Sequence, residues 1–175
     1  MHNRLARLLT PLLLLACCTS AAFAATPTAS ARLSGLEDRE AIRLVLRDYG
    51  RLLDERHFDE FGQLFAQDGE YVSAGTTTRG PAAIADSLRR IMTGNSLGLA
   101  EPNFHVLFNE RIELHGDQAE ATSQSFFVAP GADGAPQLIM MASYDDRFVR
   151  TPNGWRFARR VVHGNMVLRP AKGGK

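Results

Sequence analysis

The apolar residues of this chain change their spacing along its length, and this change constrains the fold more than any other feature. Up to Leu53 they recur every three or four positions, as on one face of an α-helix. Beyond residue 103 they lie in long strand-forming segments, separated by turns rich in Gly, Pro, Asn and Asp. Helices followed by hairpin-connected strands predict an α+β fold, with an antiparallel sheet covered on one side by helices.

Local signals place the individual elements. Ser34 and Glu37 form an S-x-x-E capping box, which predicts a helix from about Leu36 to Leu53. Gly80 and Pro81 open another helix. The predicted helices are 36–53, 59–66 and 82–92, and the predicted strands are 70–74, 76–79, 103–114, 118–128, 137–150 and 155–167.

The first 24 residues have the features of an export signal. Two arginines precede a short apolar run, and Ala22-Phe23-Ala24 offers an A-x-A cleavage pattern. An alternative is a lipobox ending at Cys17, whose cysteine would carry a lipid anchor. We therefore divide the chain into a signal peptide (1–24), a flexible lead-in (25–34), one folded domain (35–167) and a frayed tail (168–175), and expect a periplasmic or secreted protein without a membrane span.

Charge and cysteine content exclude several classes of function. The chain has 20 Lys and Arg against 19 Asp and Glu, so no basic surface indicates nucleic-acid binding. Its two cysteines, Cys17 and Cys18, are adjacent, which excludes a disulfide scaffold and a cysteine metal cluster. We expect no metal and no other cofactor, so the chemistry would fall to carboxylate, imidazole and phenol groups.

The candidate for that chemistry is a histidine in an apolar strand. His105 shares one strand face with Leu107 and Asn109. It is either a core histidine bonded to a backbone carbonyl or a general base that needs an orienting carboxylate. Asp54 could supply this carboxylate, but it lies about 140° around an ideal helix from Tyr49, off the apolar stripe, and could equally be a solvated residue at a helix end. Tyr49 itself could be a core aromatic residue.

Four segments in this order resemble the SnoaL-like branch of the nuclear transport factor 2-like superfamily. They are AIRLVLRDYGRLLDERHFDEFGQLFAQDGEY, TTTRGPAAIADSL, NFHVLFNERIELHGDQAEATS and YDDRFVRTPNGWRFARR. The resemblance implies a cone-shaped, curved sheet, antiparallel or mixed, wrapped by N-terminal helices around a pocket.

The resemblance also implies functional residues. Scytalone dehydratase, hexachlorocyclohexane dehydrochlorinase and bile-acid 7α-dehydratase are similar in pairing an aspartate after the first helix with a histidine on the sheet, and Asp54 and His105 occupy those positions. Tyr49 matches a tyrosine of the bile-acid enzyme, and Tyr71 resembles a pocket tyrosine of scytalone dehydratase. Gln124 stands where scytalone dehydratase has a second pocket histidine.

The resulting prediction is an exported lyase or isomerase that removes a proton from a small, hydrophobic, cyclic substrate. Asp54, His105 and Tyr49 are its predicted catalytic residues, and Tyr71, Asn109 and Gln124 its predicted substrate contacts. The alternatives are a non-catalytic ligand-binding or interaction module of the same fold, and a structural domain that associates through Trp155, Phe157 and the outer strand faces. We expect a homo-oligomer, a dimer or a trimer, in any of these cases.

Overall fold

Three helices and six strands make up the part of the chain that the structure, a computed structural model, describes: residues 28–95 and 101–167, with side chains up to Gly164. The elements are α1 (Ala29–Asp54), α2 (Phe58–Gly62), β1 (Phe65–Ser73), β2 (Thr76–Arg79), α3 (Pro81–Gly94), β3 (Phe104–His115), β4 (Gln118–Pro130), β5 (Pro136–Thr151) and β6 (Gly154–Val167). The predicted α+β class is confirmed.

The strands form one curved, open sheet in the order β2-β1-β6-β5-β4-β3. Neighbouring strands are antiparallel except β1 and β6, which run parallel, so the sheet is mixed. The long hairpins β3-β4 and β4-β5 form because turn residues separate segments that alternate between a buried and a more exposed face. Ser123, Ser125 and Phe127 of β4 mark the buried face, which the helices cover.

The apolar stripe of α1 packs against that face of the sheet. Ile42, Leu46, Tyr49 and Leu53 are all buried, as the 3.6-residue period requires for residues on one side of a helix. Trp155 and Phe157 belong to the same core. The suggestion that these two aromatic residues form an interface is therefore wrong, because they are buried within the protein itself.

The start of α1 differs from the prediction. The helix begins at Ala29, capped by the Thr28 hydroxyl, which accepts a hydrogen bond from the Ala31 N–H at 3.2 Å. Ser34 therefore lies inside the helix and is not its cap, and the predicted lead-in is helical from Ala29 onward. The helix-forming run Ala-Ser-Ala-Arg-Leu adds turns whose Leu33 is 58% exposed. The predicted signal peptide and tail lie outside the described residues.

The end of the second helix is also earlier than predicted. α2 stops at Gly62, and β1 already begins at Phe65. Two contacts explain the early change. A Cβ on Gly62 would lie 2.5 Å from the carbonyl oxygen of Pro81, so the chain passes very close to α3 there. The N–H of Phe157 then donates to the carbonyl of Leu64 at 2.8 Å, which draws the segment toward the sheet.

Candidate active site

A carboxylate and an imidazole meet where α1 ends and β3 begins. Asp54 is the last residue of α1, and His105 is the second residue of β3. The Asp54 Oδ1 lies 2.6 Å from Nδ1 of His105, and its Oδ2 accepts the backbone N–H of the same residue at 2.8 Å. Because an ionised carboxylate only accepts hydrogen bonds, Nδ1 carries the proton in the neutral ring and Nε2 is left as the acceptor.

Helix spacing alone did not select Asp54, and the tertiary structure explains why it still points inward. β3 crosses α1 closely at Gly50, where a Cβ would lie 2.9 Å from Leu107 Cδ1 and 3.2 Å from His105 Cβ. The helix ends directly after Asp54, with Glu55 as its C-cap. The side chain of Asp54 can therefore turn toward β3, because no further helical turn stands between them.

A cavity of about 690 Å³ adjoins the pair. Its walls include Asp54 and His105, residues 101–104 before and at the start of β3, and the arginines Arg47 and Arg51 of α1. The side chains of Asp54 and His105 are 13% and 10% exposed, so the pair is largely but not wholly removed from water. Among the described residues, none forms a hydrogen bond with His105 Nε2. Within that part of the chain, this nitrogen keeps its capacity to accept a hydrogen bond.

Two tyrosines lie deeper behind the histidine. The Tyr49 ring meets the His105 ring edge-on, with centroids 6.4 Å apart, and its hydroxyl is 3.4 Å from that of Tyr71. Burial, together with the neighbouring Tyr71, holds the pKa of Tyr49 well above its ordinary value, and burial also raises the pKa of Tyr71. Both phenols are therefore neutral near pH 7 and can donate hydrogen bonds.

Arg160 is a fully buried arginine next to these tyrosines, and the sequence patterns did not indicate it. Its guanidinium carbon lies 3.8 Å from the ring centroid of Tyr49 and 3.9 Å from that of Tyr144. Strand alternation from Phe157 would direct Arg159 inward, but a bulge near Ala158 shifts the register, so that Arg160 faces the core. No simple pattern reveals such a bulge.

Arg160 belongs to a buried cluster, which we call the inner polar cluster and which comprises Ser123, Asp146 and Arg160. The closest approach of Asp146 to Arg160 is 3.6 Å, and the polar side-chain atoms of all three residues have no hydrogen-bond partner among the described residues. Burial raises the pKa of Asp146 to about 7, although Arg160 acts in the opposite direction. Nearby, Ser125 and Tyr144 do satisfy each other, with their hydroxyls 2.7 Å apart.

The structure does not bring Asn109 and Gln124 to the pair. They bond to each other at 2.8 Å in an exposed position. Gln124 points away from the buried face because it alternates with Ser123 and Ser125. A bulge after Phe108, where Asn109 has a φ of +54°, breaks the alternation that would have kept Asn109 beside His105. Neither residue is placed to contact a ligand held at His105.

The described residues contain neither a candidate metal site nor a helix that could span a membrane. Within residues 28–95 and 101–167, no group of three or more His, Cys, Asp or Glu side chains is arranged to hold a metal ion. Over the same residues, no helix combines the length and the apolar character that crossing a membrane requires.

N-terminal helices on a six-stranded, mixed, curved and open sheet place the chain in the nuclear transport factor 2-like class of folds. The family is shown by the sequence itself. The model of the SnoaL-like domain matches residues 34–161, so the chain belongs to the SnoaL-like family.

Several known proteins are similar to this chain. Uncharacterized proteins of Mycobacterium bovis and Mycobacterium tuberculosis are 33% identical over 129 residues, which cover 72% of this chain and 84% of theirs. An NTF2-like protein with a cystatin-like fold from Novosphingobium aromaticivorans is 32% identical, over 76% of this chain and 85% of its own, with a TM-score of 0.65.

A hexachlorocyclohexane dehydrochlorinase from Novosphingobium barchaimii has the same fold. The match covers 81% of this chain and 95% of the enzyme, with a TM-score of 0.65 and 19% identity. At this identity the similarity concerns the fold alone.

Proposed function

We propose that this protein is an enzyme that removes a proton from carbon in a small cyclic molecule, in a lyase or isomerase reaction that uses no metal. The observation that carries the proposal is the short contact between Asp54 and Nδ1 of His105, which leaves Nε2 free beside the cavity. A neutral imidazole held in this tautomer is a general base suited to neutral pH. A core histidine bonded only to backbone carbonyls would not need the carboxylate.

In the proposed reaction, Nε2 of His105 takes a proton from a carbon next to a carbonyl group or next to a carbon that bears a leaving group. The electron pair of that C–H bond forms a C=C bond. In an elimination, the leaving group departs from the adjacent carbon with its bonding pair. It leaves either as hydroxide, which takes the proton from His105 Nε2 and becomes water, or as chloride, in which case that proton passes to solvent. In an isomerisation, the proton returns to a different carbon. The charge that develops on His105 is stabilised by the ionised Asp54, which itself keeps no proton.

The negative charge that develops on the substrate oxygen needs donors on the opposite side. The neutral phenols of Tyr49 and Tyr71 lie behind His105 and do not line the cavity, so they would donate hydrogen bonds only to a substrate oxygen that reaches past the imidazole ring. The raised pKa of Tyr49 suits it to holding an oxygen more than to releasing its proton. The guanidinium of Arg160 lies against the Tyr49 ring and provides a positive charge in a region without water contact. This assignment gives Arg160 a role that the sequence did not indicate.

Substrate size and polarity follow from the cavity. A volume of about 690 Å³ suits one small ring system. The arginines and acidic residues that line it make the site more polar than the hydrophobic substrate expected from the sequence would require. Cyclic hydroxy ketones, which combine an apolar ring with two oxygen atoms, fit both features. The dehydrochlorinase with the same fold, named for its action on hexachlorocyclohexane, suggests chlorinated rings as a second group to test.

Deuterium exchange tests this proposal even while the product is unidentified. The protein is incubated in D₂O with a panel of cyclic hydroxy ketones and chlorinated cyclohexanes, and the recovered compounds are analysed by mass spectrometry. We expect one compound to gain deuterium or to lose water or HCl, and His105→Gln to lower this rate by about 10²- to 10⁴-fold. An equal rate in the folded His105→Gln protein would exclude the histidine as base. Binding of a compound without any exchange would support a carrier instead.

We also propose that the chain is exported and, in solution, forms a homo-oligomer, either a dimer or a trimer. The basic start, apolar run and A-x-A triplet of residues 1–24 support export. Mass spectrometry of the protein recovered from its native host would find an N-terminus at Ala25 after plain cleavage, or a lipidated Cys17 if the lipobox is used. Light scattering on the purified domain measures the number of subunits.

A further inference from the structure

The turn that follows α1 contains an arginine that connects both members of the catalytic pair. The Arg56 guanidinium donates through Nη1 to the carbonyl of Leu53 at 2.7 Å, and through Nη2 to Glu101 Oε1 at 3.0 Å and Asn103 Oδ1 at 3.1 Å. Leu53 immediately precedes Asp54, and Asn103 stands two residues before His105. One planar group therefore spans the end of α1 and the chain that leads into β3.

The backbone at this position supports a specific role for the side chain. Arg56 has a φ of +65°, in the left-handed region, which is unfavourable for a residue with a Cβ. Glycine is the ordinary residue for such a position after a helix. An arginine here accepts a backbone cost that glycine would avoid, and such strain is a reason to look for a function of the side chain.

The geometry of Asp54 shows why its position needs such support. The carboxylate reaches both the ring and the backbone N–H of His105 only while the helix end and the start of β3 keep their separation. Asp54 is the last helical residue, where helices ordinarily fray. The backbone bonds near it, from Glu55 and Arg56 N–H groups back into α1, hold the turn together but do not reach β3.

We propose that Arg56 is a positioning residue that holds His105 in the Nδ1–H tautomer by fixing the distance between the end of α1 and residues 101–103. Its guanidinium makes no hydrogen bond to the imidazole; it also lines the cavity, but it acts on the pair through Leu53 and Asn103. The consequence for catalysis rests on the proposed function, because only a base at Nε2 makes the tautomer matter. The tautomer itself is a property of the protein without substrate.

A second arginine provides a matched control for simple stabilisation. Arg150 bonds to Asp38 of α1 at 2.6 Å and to Asp117 of the β3-β4 turn at 2.9 Å. It thus joins α1 to the sheet region at the other end of the helix, with charged partners on both sides. If Arg56 acted only by stabilising the fold, Arg150→Ala and an Arg56 variant of similar stability would affect the imidazole equally.

The experiment compares the imidazole ¹⁵N chemical shifts of His105 in the full-length protein and its variants at about pH 8, where an ordinary imidazole is neutral. His105→Gln identifies the signals. We expect the wild type to show the Nδ1–H pattern, and Arg56→Gly to show averaged shifts as a second tautomer becomes populated. Arg56→Gly removes the guanidinium and also relieves the positive φ, which favours folding of this variant. Arg150→Ala should keep the wild-type pattern.

Arg56→Lys gives an independent answer, because an ammonium keeps the charge but cannot direct bonds to three oxygens as the planar guanidinium does. We expect shifts between those of the wild type and Arg56→Gly. Unchanged shifts in Arg56→Lys and in a folded Arg56→Gly would overturn the proposal, as would an equal change in Arg150→Ala. The two proposals can fail separately. If Arg56→Gly changes the tautomer but the wild type transforms no substrate, the proposed function is refuted and the positioning role remains.

Discussion

Two pairs of charged or titratable side chains lie on the helix-covered side of the sheet. They differ in how closely the two partners contact each other and in how far they are exposed to water. Asp54 and His105 are joined at 2.6 Å and remain about one tenth exposed. Asp146 and Arg160 are fully buried, lie 3.6 Å apart and form no hydrogen bond with each other. The guanidinium of Arg160 is held between the aromatic rings of Tyr49 and Tyr144 instead.

The first pair therefore provides a directed hydrogen bond, and the second pair provides charge. A short bond to one nitrogen specifies a tautomer and an orientation, which proton transfer requires. A cation among neutral rings, beside a carboxyl group whose pKa is raised to about 7, provides charge without a fixed direction. We call Asp54 and His105 the outer pair, and Asp146 and Arg160 the inner pair. Substitutions in the outer pair should therefore lower activity most, and substitutions in the inner pair should lower stability most.

The largest effect is expected from Asp54→Asn. The amide cannot accept both the ring N–H and the backbone N–H of His105 as the carboxylate does, so the imidazole loses the tautomer that exposes a basic Nε2. We expect turnover to fall by about 10²- to 10⁴-fold. Steady-state kinetics on any substrate found by deuterium exchange measure this. Asp48→Asn, an exposed acid on α1 that bonds to Arg51, should keep wild-type kinetics; equal losses in both variants would contradict the assignment.

Arg160→Met tests the inner pair. Removing the cation leaves Asp146 buried without an opposite charge, which should lower the free energy of unfolding by about 3–5 kcal/mol at pH 8. The loss should be smaller at pH 5, because Asp146 is then protonated in the folded protein. Urea denaturation at both pH values measures it. Arg159→Met, which removes a partly exposed partner of Glu70, should cost less than about 1 kcal/mol. An equal loss of unfolding free energy in the two variants would show that the buried pair contributes no more to stability than the exposed one.

Asp146→Asn isolates the pH dependence of the same pair. Because the folded-state pKa of about 7 exceeds the ordinary value of 3.8, the native protein binds this proton more tightly than the unfolded chain does. The resulting stability is fully present below pH 4 and is lost as the pH rises toward 7. We expect the drop in unfolding free energy between pH 4.5 and 7.5 to be smaller in Asp146→Asn by on the order of 2 kcal/mol. Identical profiles would mean that Asp146 titrates normally.

The smallest effects are expected at Gly50, which allows β3 to approach α1 closely enough for Asp54 and His105 to meet. A methyl group at Gly50 would press on Leu107 and His105, so Gly50→Ala should lower the free energy of unfolding by about 1–2 kcal/mol. It should also disturb the imidazole ¹⁵N shifts of His105. Gly35 serves as control, because its new Cβ would lie 3.3 Å from the end of the flexible Arg39 side chain and at an ordinary contact distance of 3.9 Å from Leu114 Cδ1. Gly35→Ala should stabilise α1 by about 0.5–1 kcal/mol. A stable Gly50→Ala protein with unchanged shifts would contradict the close packing of α1 on β3.

The sequence by itself determined the fold class, the order of the elements and the pairing candidates. Apolar periodicity located the buried face of α1, and turn residues delimited the long strands, because both signals are local and are governed by the period of the backbone. The same local reasoning started α1 at Leu36, since the capping box at Ser34 gives no information on whether earlier residues with good helix propensity also join the helix.

Only the tertiary structure decided which polar residues meet. Asp54 lies off the apolar stripe, yet it faces His105 because the helix ends there and Gly50 allows β3 to come close. Arg160 faces inward and Asn109 outward because bulges shift the strand alternation on which sequence reasoning depends. Contacts between residues 51 positions apart, such as Asp54 and His105, arise from the packing of whole elements, and no local pattern in the chain encodes that packing.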